Sequence, residues 1–151
     1  MTVLITREHP GTGDATALIL ELESLLAGHY AAESRHGYSV EKLIAQDVAF
    51  FLLRDGGMPA GCGGIQLFGV EYGELKRMYV RPEFRGRGFG KLLLDHLAAY
   101  ARSNGIDLLR LETGIHQTEA IAMYERAGFH RISPFGPYRE DPVSLCYEKR
   151  L

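Results

Sequence analysis

The stretch Arg85-Gly86-Arg87-Gly88-Phe89-Gly90-Lys91 concentrates the residue types that hold an anion. Glycines let the backbone turn tightly and bring several amide N–H groups toward one point, while arginines and a lysine add mobile positive charge around it. The chemistry implied is capture of a phosphate or pyrophosphate. The neighbourhood supports this: between residues 75 and 91, Lys76, Arg77, Arg81, Arg85, Arg87 and Lys91 face a single acid, Glu83. Residues 1–50 have the opposite balance, three basic side chains against seven acidic ones. The near-neutral total, 17 basic and 19 acidic residues for a net charge of -2, conceals the contrast and gives no sign of a protein built to hold nucleic acid or an anionic membrane. Two nucleotide-binding patterns fit poorly. A Walker loop needs Ser or Thr after its lysine, and Lys91 precedes Leu92. A dinucleotide fingerprint opens an alternating α/β domain, whereas this loop follows three consecutive strands.

The other reactive types are dispersed. Cys62 and Cys146 lie far apart inside apolar runs and read as buried, reduced thiols of a cytoplasmic protein. The six histidines are scattered, and His29 with His36 has no convincing ligand spacing, so no metal is expected. Neither a basic, then long apolar leader nor about 18 consecutive apolar residues occurs, and the chain is expected to be soluble and cytoplasmic.

The elements that must position the glycine loop follow from periodicity. Val3 to Thr6 is β-rich, and Asp14 follows a Pro-Gly-Thr-Gly turn as the expected cap of a helix over 15–27, with Leu18, Leu22, Leu25 and Leu26 on one stripe. A polar, aromatic segment, His29 to Tyr38, leads to a short helix from Ser39 to about Gln46. Val48–Leu53, Met58–Phe68 and Glu74–Val80 read as three strands joined by Asp55-Gly56-Gly57 and the Gly69 to Gly73 turn. The period then changes: Leu93, Leu97, Tyr100 and Ala101 mark a helix over Phe89–Ser103, stopped at Asn104-Gly105. Leu108–Thr113 is a strand and Thr118–Ala127 a helix closed by Gly128, with final strands near Phe129–Ile132 and Ser144–Lys149. Strand, helix and strand in about 35 residues form a βαβ unit, so strands 74–80 and 107–113 should run parallel. At 151 residues the chain fits one α+β domain over 1–151, with a mixed, mostly antiparallel sheet. Glycine is over-represented, 18 residues where the usual share is roughly 7%. Gly61, Gly63 and Gly64 in the third strand call for a ligand or another backbone close by.

Arg85-x-x-Gly88-x-Gly90 after Glu74-Leu-Lys-Arg-Met-Tyr-Val80, with Ala120-Ile-Ala-Met-Tyr124-Glu-Arg-Ala-Gly128-Phe129 downstream, resembles the GNAT superfamily of acetyl-CoA-dependent N-acetyltransferases. The match is detailed over 74–130, and the element order extends it to the whole chain. The resemblance implies helices on both sheet faces and parallel strands splayed at the cofactor site by a β-bulge. It implies that the amides of Arg85, Gly86, Arg87, Gly88, Phe89 and Gly90, with Lys91, cradle the coenzyme A pyrophosphate. Met78, Tyr79 and Val80 would line the pantetheine arm, with Met78 and Val80 presenting backbone groups. Gln117 stands where the family often has Asn, a longer arm for the same cofactor contact. Homodimers are common in the superfamily.

Acetyl transfer to an amine needs a proton acceptor, an oxyanion donor and a proton for the leaving thiolate. The family match gives Tyr124 the last role, although Ala120, Tyr124 and Ala127 also form a core-like stripe. It gives Glu74 the role of base acting through water, with Glu112 on the neighbouring strand as competitor. A backbone N–H near Met78 is the expected oxyanion donor. Tyr30, Arg35, His36, Glu112 and Tyr138 are the candidates for the acceptor side, and arginine with aromatic groups suits a small primary amine that also bears a carboxylate better than a polycation. A protein N-terminus or lysine as acceptor, or a non-catalytic acyl-CoA-binding domain, are the alternatives.

Overall fold

The computed structural model describes residues 2–151. Its elements are β1 (Val3–Arg7), α1 (Gly13–Ala27), α2 (Val40–Ala45), β2 (Ala49–Asp55), β3 (Met58–Phe68), β4 (Tyr72–Val80), α3 (Phe89–Ser103), β5 (Leu108–Gly114), α4 (Thr118–Arg126), β6 (His130–Ile132) and β7 (Ser144–Arg150). Thr12, not Asp14, caps α1: its side chain accepts from the Ala15 N–H, while Asp14 lies inside the first turn and pairs with Arg54. The seven strands form one sheet in the order β1-β2-β3-β4-β5-β7-β6, antiparallel throughout except between β4 and β5.

Both faces of the sheet are covered, so β2 is apolar at nearly every position. Phe50, Leu52 and Cys62 pack against Ala15, Leu18 and Ile19 of α1 and Leu43 of α2. Ala49, Phe51, Ile65 and Leu75 point the other way, into Leu94, Leu97 and Ala101 of α3 and Tyr124 of α4. Cys62 and Cys146 are free and buried. No helix among the described residues is long and apolar enough to cross a membrane.

Two irregularities in β4 create the site. Gly64 pairs with Lys76 but Cys62 pairs with Tyr79, so Gly63 faces both Arg77 and Met78, and Arg77 takes φ 53°. A non-glycine residue held there costs about 1–3 kcal/mol and persists only where its surroundings fix it. The bulge shifts the side-chain phase, so that Met78 joins Leu75 against the α3 face instead of alternating away from it. It also accounts for two of the β3 glycines. A Cβ on Gly61 would stand 2.8 Å from the Tyr79 carbonyl oxygen, and one on Gly63 would run into the Met78 sulfur. The second irregularity is that β4 pairs with β5 only at Gly73 with Leu109 and Glu74 with Arg110. Beyond those pairs the strands part, leaving the β5-facing backbone edge of residues 75–80 without a strand partner.

Candidate active site

The gap between β4 and β5 opens into a cavity of about 730 Å³, walled by Met78, Tyr79 and Val80 on one side and Leu111, Glu112 and Thr113 on the other. One end is the glycine loop. Gly86 and Gly88 adopt φ 80° and 78°, conformations that side chains other than glycine rarely take. The amide N–H groups of residues 86–91 find no hydrogen-bond acceptor among the described residues. Gly88 precedes α3 without a side-chain cap, so the positive end of a 15-residue helix faces the same space. A Cβ added at Gly86 or Gly88 would meet nothing in the protein, so the concavity is open to a ligand. This arrangement fits a pyrophosphate held mainly by main-chain donors. Arg85 and Lys91 reach the cavity wall, whereas the Arg87 side chain is drawn off to Asp55 at 2.9 Å and is absent from the wall.

In the middle of the cavity stands Tyr124, only 4% exposed, on the inner face of α4. Its hydroxyl has no hydrogen-bond partner among the described residues, and burial pushes its pKa up, which keeps it a neutral phenol and makes it a weaker acid than a free tyrosine. Nearby, the Tyr30 hydroxyl donates to Gln117 Oε1 at 2.6 Å and accepts from the His116 N–H at 2.8 Å. The ring of Tyr30 lies over Gly114, where a Cβ would collide with it. The oxygen of Gln117 is therefore committed to Tyr30, and its amide nitrogen is the part left for a ligand.

The far end is built from side chains. Glu112 lines the cavity and accepts from Ser144 Oγ at 2.7 Å; burial raises its pKa, and the Ser144 hydrogen bond opposes the shift. Arg35 and His36 line the same end. Glu74 does not. It is 2% exposed, ion-paired with Lys76 Nζ at 2.7 Å, and accepts the Tyr138 hydroxyl proton in a short hydrogen bond. Tyr138 is likewise off the cavity wall and touches it through His36, ring centroids 5.5 Å apart. Burial pushes Lys76 below the usual lysine range against the pull of Glu74, and it pushes the Tyr138 phenol up beside that carboxylate.

A protein-family model described as Acetyltransferase (GNAT) family matches residues 19–129. The chain belongs to the GNAT acetyltransferase family. It is 42% identical to the IAA acetyltransferase of Azospirillum brasilense, over 99% of this chain and 98% of that one. A crystal structure from Klebsiella pneumoniae, provisionally named an acyl-CoA N-acyltransferase, superposes with TM-score 0.85 at 36% identity, over 99% and 98% of the two chains. The PaiA N-acetyltransferase of Thermoplasma acidophilum, solved with coenzyme A, shares the fold over the full length of both chains at TM-score 0.77 and 21% identity. As a GNAT enzyme the chain is an N-acetyltransferase with acetyl-CoA as cosubstrate, and the open amide cradle has the form that cosubstrate requires.

Three residues of this GNAT site escape a reading of the sequence. Lys76, two residues from Glu74 and hence on the same strand face, carries a detectable signal: a basic partner at i+2. Arg77 carries none, because nothing local announces a non-glycine residue at positive φ. Glu23 looks like a solvent-facing helix residue, yet it bridges Arg35 at 3.0 Å and Arg77 at 2.5 Å.

Proposed function

We propose that this GNAT enzyme acetylates the primary amine of a small molecule by direct attack on acetyl-CoA, acting as one domain in the cytoplasm. The observation that carries the reading is that two segments beside the acceptor end, around residues 34–36 and 138–141, grip each other. Ser34 Oγ donates to Asp141 Oδ2 at 2.7 Å, His36 packs on Tyr138, and Tyr138 is anchored to Glu74 below. A protein N-terminus or a lysine on a folded surface needs an open groove there. The name of the Azospirillum relative, an IAA acetyltransferase, is in keeping with the same reading.

Glu112 is the better base of the two carboxylates. It lines the cavity, and a raised pKa brings it closer to that of the ammonium it must deprotonate. Glu74 is already neutralised by Lys76 and by the Tyr138 hydroxyl, so its role is to hold the acceptor loop. In this scheme the neutral amine forms the new N–C bond, a backbone N–H at the Met78 bulge stabilises the oxyanion, and the C–S bond breaks. Glu112 takes the amine proton and Tyr124 donates one to the departing thiolate. Free-thiol release measured across small primary amines, peptide N-termini and lysine peptides tests the reading. Turnover confined to small amines is expected. Turnover only with peptides, or tight acetyl-CoA binding with no thiol released by any amine, would overturn it.

A further inference from the structure

Arg77 and Arg35 share one counter-ion. Glu23 Oε2 meets Arg77 Nη2 and Glu23 Oε1 meets Arg35 Nη1, so each guanidinium spends one nitrogen on the bridging carboxylate. Arg77 Nε is used by the Tyr38 carbonyl at 2.8 Å. A further nitrogen on each, Arg77 Nη1 and Arg35 Nε, is buried and has no hydrogen-bond partner. Two positive charges against one negative leave a net single positive charge in a cavity lining that also holds Leu22, Leu25, Leu26, Ser34 and His36. Among the described residues, no acid other than Glu23 contacts either guanidinium: Glu21, on the same helix, is bound to Arg81 at 2.7 Å, Glu74 to Lys76, and Glu112, across the cavity, to Ser144. An uncompensated buried guanidinium with orphaned N–H groups is costly unless something completes it.

We propose that a carboxylate on the acceptor completes it, held by Arg77 Nη1 and Arg35 Nε while the acceptor amine faces Glu112. This rests on the small-amine reading above and narrows the acceptor to a compound bearing both an amine and a carboxylate. Charge then balances, two guanidinium groups with two carboxylates, and Glu23, reaching Arg77 Nη2 and Arg35 Nη1 at once, shows that the two guanidinium groups lie close enough for one carboxylate to touch both. The Arg77 side chain is 3% exposed and is aimed at the cavity wall from the strained bulge of β4. Gly37 lies directly over it, close enough that a Cβ would collide with the guanidinium. Both unpartnered nitrogens are buried, so the irregular 35–37 stretch, which carries Arg35 itself, must shift to admit the carboxylate.

The test pairs each free amino acid with its primary amide and reads free-thiol release in the presence of acetyl-CoA. At least one amino acid should exceed its amide in kcat/KM by about tenfold or more, the scale of a charged hydrogen bond. In Arg35→Met that ratio should fall to near one with the KM for acetyl-CoA unchanged, and Arg77→Lys should retain part of it. Equal use of acids and amides, or an undiminished ratio in Arg35→Met, would overturn the proposal while leaving small-amine acetylation in place. If no amine releases thiol, the acetylation reading fails, and calorimetry with coenzyme A-loaded protein decides the subsite separately. N-acetyl-amino acids that bind more tightly than their amides, with the difference lost in Arg35→Met, would support it. Equal affinities would overturn it.

Discussion

The two ends of the cavity are made of different material. At the cofactor end, residues 86–91 offer main-chain N–H groups from one continuous segment, and the basic side chains there are engaged within the protein: Arg85 with the Val80 carbonyl, Arg87 with Asp55 and Lys91 in an exposed pair with Asp95. At the acceptor end, Arg35, Arg77, Glu112 and Tyr138 come from four separate parts of the chain and owe their positions to Glu23, Tyr38, Ser144, Glu74 and Lys76. A ligand common to a whole family can be held by backbone geometry that tolerates sequence change. A ligand particular to one enzyme needs side chains, and these need partners.

The contrast is breakable. The largest effect is expected from Gly88→Val, which puts a β-branched residue at φ 78° and crowds the amide cradle. Titration calorimetry should show coenzyme A affinity falling by roughly 10²-fold or beyond detection, since several charge-assisted hydrogen bonds are lost together, with the circular dichroism spectrum retained. Tyr124→Phe should lower kcat by roughly 10²-fold, the lower range for a general acid, with acetyl-CoA affinity little changed. Equal rates would return Tyr124 to a purely packing role. Glu74→Gln breaks a buried ion pair and should destabilise the fold by about 3–5 kcal/mol in urea unfolding, while kcat at a temperature where the variant is folded stays within a few fold of wild type. The smallest effect belongs to Arg87→Met. If backbone alone carries the cofactor end, coenzyme A affinity changes by no more than about threefold, under 1 kcal/mol.

The same division explains what the sequence disclosed. Strand and helix periods locate β3 and α3 to the residue, and the glycine loop is visible because its proposed cofactor contacts lie in six neighbouring positions. The parallel pairing of β4 and β5 follows from the βαβ connection. The choice between Glu74 and Glu112 does not. Both sit on central strands, and only the register, with Glu74 opposite Arg110 in the last pair before the strands part, shows which carboxylate reaches the gap. The β3 glycines announce a close neighbour without naming it, for a related reason: Gly61 and Gly63 answer to a bulge on the adjacent strand, and Gly64 to Val48, whose side chain would lie 2.9 Å from its Cβ. The Thr12 cap was masked by Asp14, a residue of similar capping preference two positions later.

The pH dependence of kcat at saturating acetyl-CoA and amine, in wild type and in Glu112→Gln, tests the central assignment most directly. As the proposed base, Glu112 must be ionised to accept the amine proton. Its raised pKa therefore predicts that kcat declines as pH falls through a value above the usual carboxylate range, and that Glu112→Gln is slower by roughly 10²-fold and has lost this acid limb. A Glu112→Gln enzyme with wild-type kcat and an unchanged acid limb would contradict the account.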